Sequence, residues 1–184
     1  MSMEMSSTRL IAARPEAVWV ALNDPDVLKA CIPGCESFTR ETDGQWRAVV
    51  AAKVGPVSAR FTGTMELLDV TPPTGYTLRF KGQGGAAGFA QGEARVALFE
   101  APEGTSLRYT AVAQVGGKLA QIGSRLIDGV AAKLADEFFE RFAARFGVPA
   151  ANDELVTTPA ARLPRWLLPT AIATIVVTGW LLAT

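Results

Sequence analysis

Lys118 to Phe146 reads KLAQIGSRLIDGVAAKLADEFFERFAARF, and the spacing of its apolar residues decides the fold. Leu119, Ile122, Leu126, Val130, Leu134, Phe138 and Phe142 recur at third and fourth positions, which places them on one face of a helix with about 3.6 residues per turn. No proline interrupts the stretch, Gly116 and Gly117 precede it, and Gly147 with Pro149 closes it, so one amphipathic helix over 118–146 is predicted. At about 1.5 Å per residue it would run roughly 43 Å and needs a wide apolar surface beneath it. Each step of four overshoots a turn by about 40°, so the stripe drifts from Leu119, Leu126 and Val130 towards Phe138, Phe142 and Phe146, which suits a helix laid across a twisted sheet. Gly123 and Gly129 flank its first half, where each lowers helix propensity by about 1 kcal/mol relative to Ala. Their placement points either to tight packing on a strand or to room for a ligand between helix and sheet.

The surface beneath that helix is legible upstream. Glu4 to Ala12 alternates weakly as a first strand. Arg14-Pro15-Glu16 and Asp24-Pro25 then open two short helices, each with proline at a first helical position and an acid nearby. From Glu36 onward the period changes to two. Ser37 to Glu41, Gln45 to Val54, Val57 to Val70, Tyr76 to Lys81, Phe89 to Glu100 and Ser106 to Val115 read as strands. The turn signals between them are Asp43-Gly44, Gly55-Pro56, Pro72 to Gly75, Gly82 to Gly88 and Pro102-Glu103-Gly104. The result is an α+β domain: an antiparallel meander of about seven strands, counting the first, curled around a long C-terminal helix. Its interior, lined by alternate strand residues, is a natural ligand site.

Composition narrows the chemistry. The chain has 184 residues, 18 Lys and Arg against 18 Asp and Glu, two cysteines and no histidine. Balanced charge argues against nucleic acid and against any large single-sign field. The lack of imidazole removes Ser-His-Asp and Cys-His nucleophiles and most zinc or iron sites, so no catalytic, metal or covalent cofactor group is expected. The N-terminus lacks a signal-peptide core, which leaves the folded part in the cytoplasm.

The segment after Phe146 divides in two. Residues 148–165 are rich in Pro and Ala and aperiodic, the pattern of a linker, with an r.m.s. span of about 20 to 25 Å. Residues 166–184, WLLPTAIATIVVTGWLLAT, carry no charge over roughly 28 Å of helix, about the hydrocarbon thickness of a bilayer. Trp166 and Trp180 suit the two interfaces, and Arg162 and Arg165 precede the span with nothing basic after it, so the positive-inside rule keeps the domain of residues 1–147 on the cytoplasmic side of a single-pass anchor.

Pro33-Gly34-Cys35, Lys53 to Val57, Phe61-Thr62-Gly63, GQGGAAGFAQG at 82–92, Gly104-Thr105, Gly116 to Leu119, Gly123 to Ile127 and Phe138-Phe139 together resemble the G-subunit family of carbon monoxide dehydrogenase, within the START-like and polyketide-cyclase helix-grip superfamily. The resemblance spans about Met3 to Phe146. It implies the helix-grip fold and an accessory, non-enzymatic role around a molybdenum-containing carbon monoxide dehydrogenase, in membrane recruitment or electron transfer. It supplies no catalytic residue. A lipophilic ligand, with a quinone favoured, would follow from a partner that passes electrons to the membrane pool.

Three motifs carry bland alternatives. The glycine-rich run at 82–92 lacks the following helix and the Lys-Ser/Thr pair of a phosphate loop, so it reads as a hairpin at a cavity mouth or as a docking loop. Cys31 and Cys35 lack further ligands for zinc and read as small residues in a turn. Lys133, Glu137 and Arg141 at helical spacing read as surface ion pairs, with Lys133 also a candidate to orient a ligand carbonyl. The expected cavity lining is Phe61, Phe80, Phe89, Ile122, Leu126, Gly129, Val130 and Lys133. Three functions stand open: a membrane-tethered ligand carrier, a ligand-free recruitment module, and a cyclase or hydrolase on the same fold.

Overall fold

Side chains alternating at a period of two produce seven strands in the computed structural model, which describes residues 1–147. They are β1 (Ser2–Ile11), β2 (Cys35–Thr42), β3 (Gln45–Val54), β4 (Val57–Thr71), β5 (Gly75–Gln83), β6 (Phe89–Ala101) and β7 (Gly104–Gly116). One antiparallel sheet joins them in the order β1-β7-β6-β5-β4-β3-β2. Six strands therefore pair with their sequence neighbours, and β1 returns to lie beside β7, with Ser2 opposite Gln114 and Ile11 opposite Thr105. Between β1 and β2 the chain crosses the sheet as α1 (Pro15–Leu22) and α2 (Pro25–Cys31), both with proline in the first turn. Asp24 caps α2, its carboxylate accepting from the amides of Asp26 at 2.8 Å and Val27 at 3.2 Å, which satisfies donors that a helix start leaves unpaired.

The expected single helix is two. After β7 the chain forms a short α3 (Lys118–Gln121), breaks at Ile122 and Gly123, and restarts as α4 (Ser124–Ala144). Gly123 has φ 97°, a left-handed conformation that glycine adopts without the Cβ penalty, so it stands at the break and not within the helix. The 21 residues of α4 span about 31 Å in place of the 43 Å expected for an unbroken helix. The break changes the stripe only at its start, and the expected Val130, Leu134, Phe138 and Phe142 remain half-buried or buried. Ile127 is buried while Leu126 is 44 % exposed, because a periodicity read through residue 123 assumed a continuous turn that is absent. Gly129 faces away from the sheet, with nothing within 4 Å of where a Cβ would lie, so no strand approaches it.

Packing follows from these placements. Ile11, Val18, Leu22, Val27, Cys31, Leu98, Leu107 and Phe142 form the largest buried cluster, where α1, α2 and the end of α4 close over β1, β6 and β7. Val115, Leu119 and Ile127, with Met3, Val57 and Phe61 against them, hold the start of the helical segment to the opposite end of the sheet. Phe38, Trp46 and Ala48 form a third cluster on β2 and β3 beneath α2. The linker (148–165) and the expected anchor (166–184), with Arg162, Arg165, Trp166 and Trp180, lie outside the described residues. Among the described residues no helix is long and apolar enough to cross a membrane.

Candidate ligand cavity

A cavity of about 240 Å³ lies between the sheet and the helices. The strand register explains its walls, because residues opposite one another in an antiparallel pair share a face. Leu67 pairs with Leu78, Leu78 with Ala94, Tyr76 with Val96 and Val96 with Tyr109, so one continuous apolar surface crosses β4, β5, β6 and β7. Met65, Leu107, Phe38 and Trp46 extend it over β4, β7, β2 and β3. Leu22 of α1, Leu28 and Ile32 of and after α2, and Phe138 and Phe139 of α4 form the opposite wall.

Aromatic contacts fix that wall. Phe139 stacks on Tyr109 with centroids 5.3 Å apart, and Phe138 meets Phe139 edge to face at 5.1 Å. The Arg9 guanidinium lies 5.6 Å from the Phe139 ring centre and is ion-paired with Asp136, which pins β1 to α4 at the cavity's edge. Across the cavity, Trp46 meets Phe38 edge to face at 5.2 Å while the Arg40 guanidinium covers it at 5.0 Å.

The lining contains no carboxylate, amine or guanidinium, and its polar atoms come from Tyr76, Tyr109 and Trp46. Burial pushes the Tyr76 phenol well above its ordinary range, so it stays a neutral donor and acceptor. Trp46 is 3 % exposed, and its indole Nε1 is buried with no protein acceptor. A buried donor left unpaired costs about 1 to 3 kcal/mol, so it is a natural partner for an acceptor on a ligand. The arrangement can hold an apolar molecule, with the indole and phenol groups of Trp46, Tyr76 and Tyr109 among the residues of its walls. Among the described residues no cluster of three His, Cys, Asp or Glu is placed to hold a metal.

The residues expected to line the cavity lie elsewhere. Phe80 does share the inward face, opposite Met65, but sits beyond the lining. Phe61 and Ile122 pack with Val115, Leu119 and Ile127 at the far end of the sheet. Val130 is half-buried on α4 but is not part of the lining. Phe89 is 42 % exposed on the outer face, because alternation along β6 turns Ala90, Gly92 and Ala94 inward. Leu126 is exposed by the break at Gly123, Gly129 faces outward, and the Lys133 side chain is 77 % exposed, 3.8 Å from Glu137. Arg141 joins the same carboxylate at 3.8 Å, so this series forms the surface pairs its spacing allows. Cys31 is buried and Cys35 half-buried, both free, and burial raises both thiols. The glycine-rich run forms a 3-10 turn at Gly85–Ala87 and no phosphate loop.

Sequence reasoning missed the wall made by α1, α2 and the second half of α4. Phe138-Phe139 was the available signal: two adjacent aromatics cannot both lie on a narrow helical stripe, so one of them must serve a second surface.

Known structures share this architecture. A conserved protein from Geobacillus kaustophilus superposes with a TM-score of 0.71 at 29% identity, covering 79% of this chain and 95% of that one. The match thus takes in nearly all of that neighbour's chain. A protein from Rhizobium leguminosarum gives a TM-score of 0.62 at 15% identity, over 79% of this chain and 95% of that one. The Zhui aromatase/cyclase from a Streptomyces species gives 0.58 at 13% identity, over 79% and 94%, which shows the helix-grip fold alone. No protein with a curated description matches the sequence. The family model for the G subunit of carbon monoxide dehydrogenase (CoxG) matches residues 8–147.

Proposed function

Because the chain belongs to the CoxG family, the G subunits of carbon monoxide dehydrogenase, we propose that it is a non-enzymatic accessory protein that brings a molybdenum-containing carbon monoxide dehydrogenase to the cytoplasmic face of the membrane and holds a quinone head group in its cavity. The observation carrying the ligand is the apolar cavity with one unpaired buried donor, Trp46 Nε1. A quinone offers what that lining asks for: a flat apolar ring with carbonyl acceptors at its edge. Size agrees. A cavity of roughly 150 Å³ accepts benzene, so one of about 240 Å³ accepts a substituted single ring, with an isoprenoid chain remaining outside. The linker at 148–165 and the anchor at 166–184, with Trp166 and Trp180 at its interfaces, would tether the domain.

The test is organic extraction of protein purified from membranes, followed by mass spectrometry, with titration of a short-chain benzoquinone into extracted protein. Recovery of quinone and saturable binding are expected. No lipid in the extract and no binding of the added quinone would leave recruitment alone as the function. A dehydrogenase still bound to membranes in cells lacking this protein would reject recruitment.

A further inference from the structure

We propose that one rim of the sheet is a docking surface for anionic lipid headgroups, which sets how the domain lies on the membrane to which the proposed function assigns it. The rim consists of the β3–β4 hairpin, the β5–β6 connection, the β7–α3 junction and the N-terminus. These meet as one surface. A Cβ on Gly55 would lie 2.8 Å from Leu126 and 3.7 Å from Ile122, one on Gly88 would lie 2.0 Å from the Gly116 carbonyl oxygen, and the Met1 ammonium donates to the Val115 carbonyl at 3.0 Å.

The charge on this surface is mostly basic, with Glu36, Glu4 and Asp128 as the acids at its margins. Segments 53–60, 81–92 and 113–127 carry Lys53, Arg60, Lys81, Lys118 and Arg125 and contain no Asp or Glu. Arg60 is paired with Glu36 at 2.9 Å, whereas Lys53, Lys81, Lys118 and Arg125 are exposed and, among the described residues, form no ion pair. Exposed Phe89 and Leu126 stand on the same rim. Cations around apolar side chains match headgroups overlying acyl chains, where the apolar groups insert and the cations stay at the phosphates.

The opposite rim has the opposite sign. Its turns at 41–45, 69–75 and 100–104 carry Glu41, Asp43, Asp69, Glu100 and Glu103 without a Lys or Arg, Glu41 being ion-paired with Arg47 of β3. The formal net charge of +0 is thus distributed unevenly between the two ends of the sheet. An anionic bilayer attracts one end and repels the other, so both favour the same orientation.

The experiment is co-sedimentation of the chain ended after Gly147, where the family match ends, its folding checked first by circular dichroism and a cooperative thermal melt, with vesicles of phosphatidylcholine alone or mixed equally with phosphatidylglycerol. Binding to the mixed vesicles only is expected. Lys118→Gln and Arg125→Gln should each weaken it about fivefold, Phe89→Ser should weaken it too, and Arg108→Gln, on the outer face away from the rim, should leave it unchanged. Circular dichroism confirms that each variant is folded. Absence of binding to anionic vesicles, equal binding to neutral ones, or unchanged binding by the rim variants overturns the proposal. The full chain is assayed in parallel for membrane fractionation and quinone binding. If it retains both while the shortened chain ignores anionic vesicles, the docking rim falls and the proposed function stands.

Discussion

Trp46→Phe separates a ligand-binding cavity from an ordinary gap in packing. The indole is 3 % exposed and its N–H has no protein acceptor. Trimming it to a phenyl ring removes buried carbon worth about 2 kcal/mol, at about 0.8 kcal/mol for each CH₂-sized group. The same change removes an unpaired donor whose burial costs about 1 to 3 kcal/mol, so the two effects nearly cancel in the ligand-free protein. Had the N–H been paired, the lost packing and the stranded acceptor would add to about 3 kcal/mol or more. For a bound quinone the sign is unambiguous. A carbonyl that loses its donor forfeits about 1 to 2 kcal/mol, an affinity loss of about 5- to 30-fold. Urea denaturation of ligand-free protein and isothermal titration with a short-chain benzoquinone read the two quantities independently. A variant that loses about 3 kcal/mol of stability while binding quinone as tightly as the parent refutes the reasoning.

Burial raises Cys31 above its ordinary 9.0 and Tyr76 above its ordinary 10.0, so with rising pH the unfolded chain releases these protons before the folded one does. Stability is therefore flat in these groups below about pH 9 and falls above it; Tyr76→Phe and Cys31→Ala should each reduce the alkaline slope of the denaturation free energy. Gly88→Ala forces a Cβ to within 2.0 Å of the Gly116 carbonyl at φ 117° and should lower stability by about 3 kcal/mol, whereas Gly129→Ala, in open space within α4, should raise it by about 1 kcal/mol; thermal melts with equal midpoints would contradict both. Removing Leu163 to Thr184 should convert association that requires detergent into association that high salt reverses, since only screened surface contacts would remain. Salt-resistant sedimentation of that shortened chain with membranes would remove the tail from its assigned role.

The sequence by itself determined the order of the seven strands and of the first two helices. Gly, Pro and Asp-Gly punctuation, with alternation between, placed β3 at Gln45–Val54 without error, and proline fixed the starts of α1 and α2, because these signals act within a few residues. Phase and assembly needed the tertiary structure. A left-handed glycine at 123 is indistinguishable by composition from one inside a helix, yet it exchanged Leu126 for Ile127 in the core, while the expected Phe138 and Phe142 kept their inward places and Phe139 joined Phe138 in the cavity wall. Alternation placed Phe80 on the inward face, but only the crossing of α1 and α2 decided which part of that face they cover and where a space remains. The rims show the same division. Each turn's charge was in the sequence, but a meander sends successive turns to opposite ends, so acidic and basic turns that alternate along the chain and cancel in its sum are separated once the strands pair.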